Sequence, residues 1–248
     1  MALLLCIAIL IAGPAFAEPV AEVVWPEFDG AQHKLIYQYF DGEQWHSPGN
    51  VVYRSDHALL SPILGSTGEQ QKVLVWSEMR GEKIVLKSML GNVNKAAINW
   101  QKPILLTDRG MQNLGAVMIR DGSGQLWLFW ASATVDPSDL YVSVFQNNAW
   151  SPPQRVNEPN KVPDNQPRAS LDEAGNVAVE WNTFDLESGA YTLENKTFLV
   201  ETLDPAQVQT KVMHEAGDVP SPEGLPAGMR ILIHYPANSH AQYSKAQP

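Results

Sequence analysis

Cysteine is nearly missing: Cys6 is the only one in 248 residues, and it lies inside an N-terminal apolar run. Beyond that run the chain therefore has no disulfide, no thiolate metal ligand and no cysteine nucleophile to offer. Cations are also scarce, with 17 Lys and Arg against 27 Asp and Glu. A formal charge of −10 argues against nucleic acid and anionic membrane surfaces as partners. Long apolar segments are lacking too, since residues 2–17 form the one such stretch and it is too short and too N-terminal for a membrane span. No integral membrane segment is expected after it. Helical periodicity, a Gly-rich phosphate loop, a His-Glu-x-x-His helix and a Gly-x-Ser-x-Gly elbow are likewise wanting, which removes the common phosphate-binding, zinc-protease and serine-hydrolase signatures.

What is present begins with that run. An apolar core, a Gly13-Pro14 break and the small-residue sequence Ala15-Phe16-Ala17 read as a signal peptide over 1–17, cleaved before Glu18. The expected product is secreted or periplasmic and carries every charged residue of the chain.

Tryptophan then sets a repeat. Trp25, Trp76, Trp130 and Trp181 are separated by 51, 54 and 51 residues, and each closes a β-rich run such as Val73-Leu74-Val75-Trp76. A second series, Trp45, Trp100 and Trp150, follows 20 to 24 residues later, each with proline at its third following position: Pro48, Pro103 and Pro153. Seven of the eight tryptophans thus fall on two registers of one unit. Between them run short apolar segments divided by Gly, Asn and Asp turn signals. In the third unit the predicted strands are 115–119, 125–130, 140–145 and 149–156, with turns at Asp121-Gly-Ser-Gly124 and Gln146-Asn-Asn148. Asp121 and Asp172 each stand nine residues before their tryptophan, and Pro62 aligns with Pro167. A unit of about 50 residues and four antiparallel strands predicts an all-β fold, a small β-propeller. The repeating indoles are then packing between blades. Trp127, off both registers, is the candidate for an outward-facing ring.

Four blades are expected, with five blades or two chains sharing one ring as alternatives. The first unit starts at its second strand, so residues 229–235 are assigned as its missing inner strand, closing the ring and sparing an open edge. The domain then spans 18–235, followed by a polar tail over 236–248. In the fourth unit, 190–194 and 197–203 are read as the third and outer strands.

Phe40-Asp41-Gly42-Glu43-Gln44-Trp45, followed by Pro48, resembles a degenerate Asp box of the sialidase-like (BNR) β-propellers, which reads roughly Ser/Thr-x-Asp-x-Gly-x-x-Trp. The Ser/Thr is replaced here, Asp41 lies one residue nearer its tryptophan, and Phe145-Gln-Asn-Asn-Ala-Trp150 has no Asp. The resemblance covers residues 23–203 and implies a fold. Family sialidases also carry an Arg-Ile-Pro motif, three arginines on a carboxylate, a Tyr/Glu nucleophile pair and an Asp acid/base. No Arg-Ile-Pro occurs, and no catalytic residue transfers by motif.

In a propeller the loops from outer strand to next inner strand, and from second to third strand, share one face, where function usually resides. The first set holds Asp56, His57, Arg54, Asp108, Arg109, Gln112, Asn113, Lys161, Asp164, Asn165 and Gln166; Arg168 starts an inner strand nearby. The second set holds Glu27, Asp29, Glu78, Arg80, Asp136, Asp139, Asp185 and Glu187. Ten acids against Arg54, Arg80, Arg109 and Lys161 leave −6 on this mouth. Candidate ligand-binding residues are Asp56, His57, Glu78, Arg80, Asp108, Arg109, Asp164, Arg168 and Asp185. Three readings stand: a Ca²⁺ site, which wants six to eight oxygen ligands; an acid/base carboxyl pair for glycoside hydrolysis; or turn-forming acids that keep a loop face solvated. The primary expectation is an exported binding or interaction module for a carbohydrate or protein ligand, and the alternative is a divergent sialidase-like glycoside hydrolase.

Overall fold

The computed structural model describes residues 20–46, 49–68, 70–94, 97–134, 137–200, 220–222, 224–226, 229–234 and 242–246. The signal sequence, Asp136, Tyr235 and the segment 201–219 lie outside them. The described residues form strands and turns, with no helix.

Four meanders follow the tryptophan repeat. The first holds β1 (Ala21–Phe28), β2 (His33–Phe40) and β3 (Asn50–Ser55). The second holds β4 (Leu59–Gly68), β5 (Gln71–Arg80), β6 (Lys83–Asn94), β7 (Ala97–Trp100) and β8 (Ile104–Thr107). The third holds β9 (Gln112–Arg120), β10 (Leu126–Ala133), β11 (Asp139–Gln146), β12 (Ala149–Trp150) and β13 (Gln154–Arg155). The fourth holds β14 (Asp164–Leu171), β15 (Val177–Asp185) and β16 (Ala190–Phe198). Near the C-terminus come β17 (Arg230–His234) and β18 (Gln242–Ala246). The second and third meanders join into one ten-stranded sheet through a parallel bridge, Ile84 to Gln112.

Two features recur in the repeat, and its prolines explain the first. Each outer strand splits just after its tryptophan, β7 from β8 around Pro103 and β12 from β13 around Pro152 and Pro153, because proline has no N–H to give the ladder. The single outer strand expected over 149–156 is therefore two short ones. On the inner strands a bulge recurs. Ser61-Pro62, Gly115-Ala116 and Gln166-Pro167 each oppose one residue, Trp76, Trp130 and Trp181 respectively. The first member of each pair has positive φ (46°, 63° and 52°), which glycine adopts freely and Ser61 and Gln166 only under strain.

The register tryptophans are all buried, and Trp76, Trp130 and Trp181 each wedge their own meander against the preceding one. Trp76 packs with Val24, Leu35 and Tyr37 of the first sheet. Trp130 packs with Ile63, Val73 and Val75 of the second, and Trp181 with Phe129, Leu140 and Val142 of the third. Trp25 has no preceding sheet; Leu225 and Met229 cover its cluster. Trp127 is half-buried rather than outward-facing, stacked near Phe129 and Phe198 with its indole N–H on Asp121 Oδ2 at 2.7 Å.

The C-terminal strand does supply an inner partner for β1, pairing Glu22 with His234 and Val23 with Ile233, and β18 pairs beyond it. The sheets are nevertheless not closed into a ring, contrary to expectation. The open face of the first sheet is filled by Leu225 and Met229, and the fourth sheet stops at three described strands. Nor is the expected break between 194 and 197 present: β16 runs without interruption from Ala190 to Phe198, and residues 201–203 of the expected outer strand lie outside the described residues.

Candidate functional site

The register pairs Phe28–His33, Leu59–Glu78, Gln112–Ala133 and Asp164–Thr183 mark one end of the meanders, and the predicted loops cluster there. The core of this end is Glu78 on β5, whose side chain is fully buried. Its Oε2 accepts the Tyr53 hydroxyl at 3.0 Å and its Oε1 accepts Arg80 Nε at 2.8 Å. Lys87 Nζ donates to both oxygens at 2.9 Å and reaches the Tyr53 hydroxyl oxygen at 2.9 Å. Burial pushes the Glu78 carboxyl up, but hydrogen bonds from Lys87, Arg80 and Tyr53 and the Lys87 charge outweigh it, so the group sits below its ordinary range. Three sequence segments build this cluster: β3 brings Tyr53, β5 brings Glu78 and Arg80, and β6 brings Lys87. The Tyr53 ring leans on Trp76 at 4.9 Å between centroids, tying the cluster to the repeat core.

Neighbouring meanders carry a different device at the same level. Asn113 accepts the Trp130 indole N–H at 3.2 Å and donates to the carbonyls of Ile84 and Arg109 at 2.9 Å each. Asp164 accepts the Trp181 indole N–H at 2.9 Å and holds Asn157 and Asn160 at 2.7 and 2.8 Å. It is fully buried, so the expectation that it lines the mouth is corrected: its lone pairs are spent on the fold. Asp185 caps its hairpin by accepting the Ser188 and Glu187 N–H groups and the Ser188 hydroxyl, which hold its carboxyl below the usual range.

The remaining candidates are exposed. Asp56 accepts Gln32 Nε2 at 3.0 Å, His57 and Asp108 lie in the loops that lead from one meander to the next, and Arg168 stands opposite Glu180 on β14 and β15. The Arg109 guanidinium lies 5.2 Å from the Tyr141 ring centroid. Each acid of this end that has a described partner is answered locally, Asp29 by Lys34 and by the N–H groups of Ala31 and Gln32, Asp139 by Arg155 and Asn157. Among the described residues no three His, Cys, Asp or Glu side chains converge as a metal site, so the candidate Ca²⁺ ligands are not brought together.

Sequence reasoning missed Tyr53 and Lys87 and placed Asn113 only as a loop residue. One signal was there: Asn113 and Asp164 both stand 17 residues before their tryptophan. It also missed the rim. Three residues beyond the register tryptophans come Phe28, Met79, Ala133 and Phe184. Phe28 is 57 % exposed and lies 4.7 Å from the His33 ring; Phe184 meets Tyr191 edge-on at 5.3 Å. Aromatic faces therefore rim the same end that gathers the charged groups.

The Asp41 turn closes on its own carboxylate. Asp41 Oδ1 accepts the Glu43 and Gln44 N–H groups at 2.9 Å, Oδ2 meets His46 at 2.7 Å, and the carboxyl is lowered to about 2 by these bonds. Trp45 donates its indole N–H to the Pro220 carbonyl at 2.7 Å.

No protein-family model and no curated protein matches the chain. Similar solved structures include a thermostable family-43 glycoside hydrolase (8% identity, TM-score 0.41, 72% of either chain covered). Another is the α-L-arabinofuranosidase of Podospora anserina in complex with cellotriose (15%, 0.41, 75% of this chain and 66% of that one). A third is the endo-arabinase of Bacteroides thetaiotaomicron (12%, 0.39, 72% and 75%). None of these three is a sialidase, and likeness at this level assigns neither activity nor residue roles. No described helix is long and apolar enough to cross a membrane.

Proposed function

We propose that this end of the molecule is a recognition surface for a glycan, in a protein exported by its N-terminal signal sequence. The observation that carries the reading is the coincidence, at one end, of aromatic rings at the rim (Phe28 with His33, Tyr191 with Phe184) and the half-exposed Arg80 guanidinium, held in place by the buried Glu78. Sugar rings offer C–H faces to aromatics and hydroxyls to charged donors and acceptors, so a ligand of that kind uses both sets. A bare cation uses neither aromatic pair. The division into a signal at 1–17, a propeller-like domain over 18–235 and a polar tail belongs to the same proposal.

A second reading is favoured by one contact. The Tyr53 hydroxyl donates to Glu78 at 3.0 Å, a phenol set on a carboxylate that can take its proton, and no motif ties either residue to the sialidases. Here Lys87 and Arg80 keep Glu78 in its carboxylate form, the state that accepts a phenolic proton.

Calorimetric titration with arabino-, cello-, xylo- and sialylated oligosaccharides separates the two. Binding to at least one, weakened roughly ten-fold by Phe28→Ala or Arg80→Ala, is the expected result. Absence of binding across the panel removes the recognition reading. Release of reducing ends that disappears in Tyr53→Phe establishes the hydrolase reading instead.

A further inference from the structure

We infer that the free edge of β16 is a self-association surface that pairs antiparallel with β16 of a second copy of this chain, about a two-fold axis at Asn195. Among the described residues β16 is paired on one side alone, by β15, along its whole length. It is nine residues long, has no proline, glycine or bulge, and its ladder to β15 runs in unbroken register from Ala190 to Phe198. Such a strand offers a row of unpaired backbone donors and acceptors to another strand, and it lacks the usual protections of a kink or a proline. Its side chains are unusually open for so apolar a set: Tyr191 is 53 %, Leu193 59 % and the following Leu199 84 % exposed.

Charge selects the occupant. An antiparallel pair centred on Asn195 puts Glu194 of each copy opposite Lys196 of the other, so two opposite-charge pairs form by symmetry. The same register sets Tyr191 opposite Leu199 and Leu193 opposite Thr197, bringing the exposed apolar groups together on one face. A register displaced by two residues loses the charge pairing. Lys196 Nζ already donates one hydrogen bond, to the Val156 carbonyl at 3.1 Å, and an ammonium has two further donors for the facing glutamate. The two three-stranded sheets would fuse into one of six strands, the edge-addition mode of association.

Charge exchange tests it, with Glu194→Lys as the variant that leaves the Lys196 bond to Val156 in place. Sedimentation of the full chain between roughly 1 and 100 µM is expected to show a monomer–dimer equilibrium. Glu194→Lys sets lysine against lysine twice and weakens the dimer roughly ten-fold, Lys196→Glu does the same with glutamates, and the double exchange restores it. A chain that stays monomeric throughout the range overturns the inference, as does a double exchange that fails to restore association. Amide exchange supplies the second measurement. Protection of the outward β16 amides that fades on dilution supports pairing between copies; protection that is independent of concentration shows the edge covered within one chain and overturns it.

Discussion

At the scale of single residues, one position in each unit decides how an indole N–H is treated. Seventeen residues before the register tryptophan, Asn113 and Asp164 accept it, whereas the second unit has Leu59 and leaves Trp76 Nε1 without a partner among the described residues. A buried donor left unpaired costs about 1–3 kcal/mol. Asn113→Leu should therefore lower stability by about 2–3 kcal/mol, since it orphans Trp130 and also strips donors from two carbonyls. A urea melt that keeps its midpoint would show that water replaces the amide. Asp41 makes a complementary case in pH. Its folded value of about 2 lies below its ordinary 3.8, so its contribution is present above pH 4 and is lost as pH falls toward 2. Asp41→Asn is expected to flatten stability over that window, read as the acid dependence of the melting temperature.

At the scale of elements, β17 is fastened by a buried ionic network at the end opposite the mouth. Glu22 on β1 accepts Tyr37 Oη at 2.7 Å and Lys72 Nζ at 2.6 Å; Lys72 also reaches Ser66 Oγ at 3.0 Å, and that hydroxyl meets His234 Nε2 at 3.0 Å. All five side chains are buried, so the C-terminal strand, the first sheet and the second sheet share one set of charges. Burial, with the nearby charges of Lys72 and Arg120, lowers His234 from 6.5 to about 3. The folded state therefore refuses a proton that the unfolded chain takes up between these values, and stability is full above about pH 6.5 and falls as pH drops below it. His234→Gln should abolish that slope while leaving stability at pH 8 within about 1 kcal/mol. Lys72→Met should cost about 3–5 kcal/mol at any neutral pH, because it strands Glu22 as an unpaired buried charge. Elements of this kind were legible in part. The indole spacing and the apolar strand pattern exposed β1, β5, β10 and β15, and the need to cover an open edge assigned 229–235 to β1, where β17 takes 230–234. Glu22, Lys72 and Ser66 were invisible as a group, as were Tyr53 and Lys87 around Glu78. Their partners lie on different strands, with Glu22 and Tyr53 on another sheet altogether, 6 to 50 residues apart for Lys72, and no period along the chain relates them. Nor could composition tell that Asp164 would turn inward: that depends on where the Trp181 indole N–H comes to rest.

At the scale of the whole molecule, three interfaces between successive meanders are each led by one tryptophan of the following meander, and the fourth interface required for a ring is replaced by Leu225 and Met229 over Trp25. The C-terminal segment thus performs two tasks at once, pairing the edge of β1 and covering the first indole. Both contacts join positions some two hundred residues apart in the chain. Closing so long a loop is entropically costly and comes late in folding. A chain ending at residue 228 loses β17 and Met229, uncovers part of the Trp25 cluster, leaves the Ser66 hydroxyl with Lys72 but without His234, and leaves β1 with an open edge. It is expected to lose about 2–4 kcal/mol of stability and to associate through that edge. A chain ending at residue 241 loses only β18, which pairs with β17 and with nothing else among the described strands, and should keep its urea midpoint to within about 1 kcal/mol. If the shorter chain melts with the longer one, the ionic network at Glu22 and Lys72 holds the first sheet without help from β17, and the C-terminal strand is an ornament on a fold already complete.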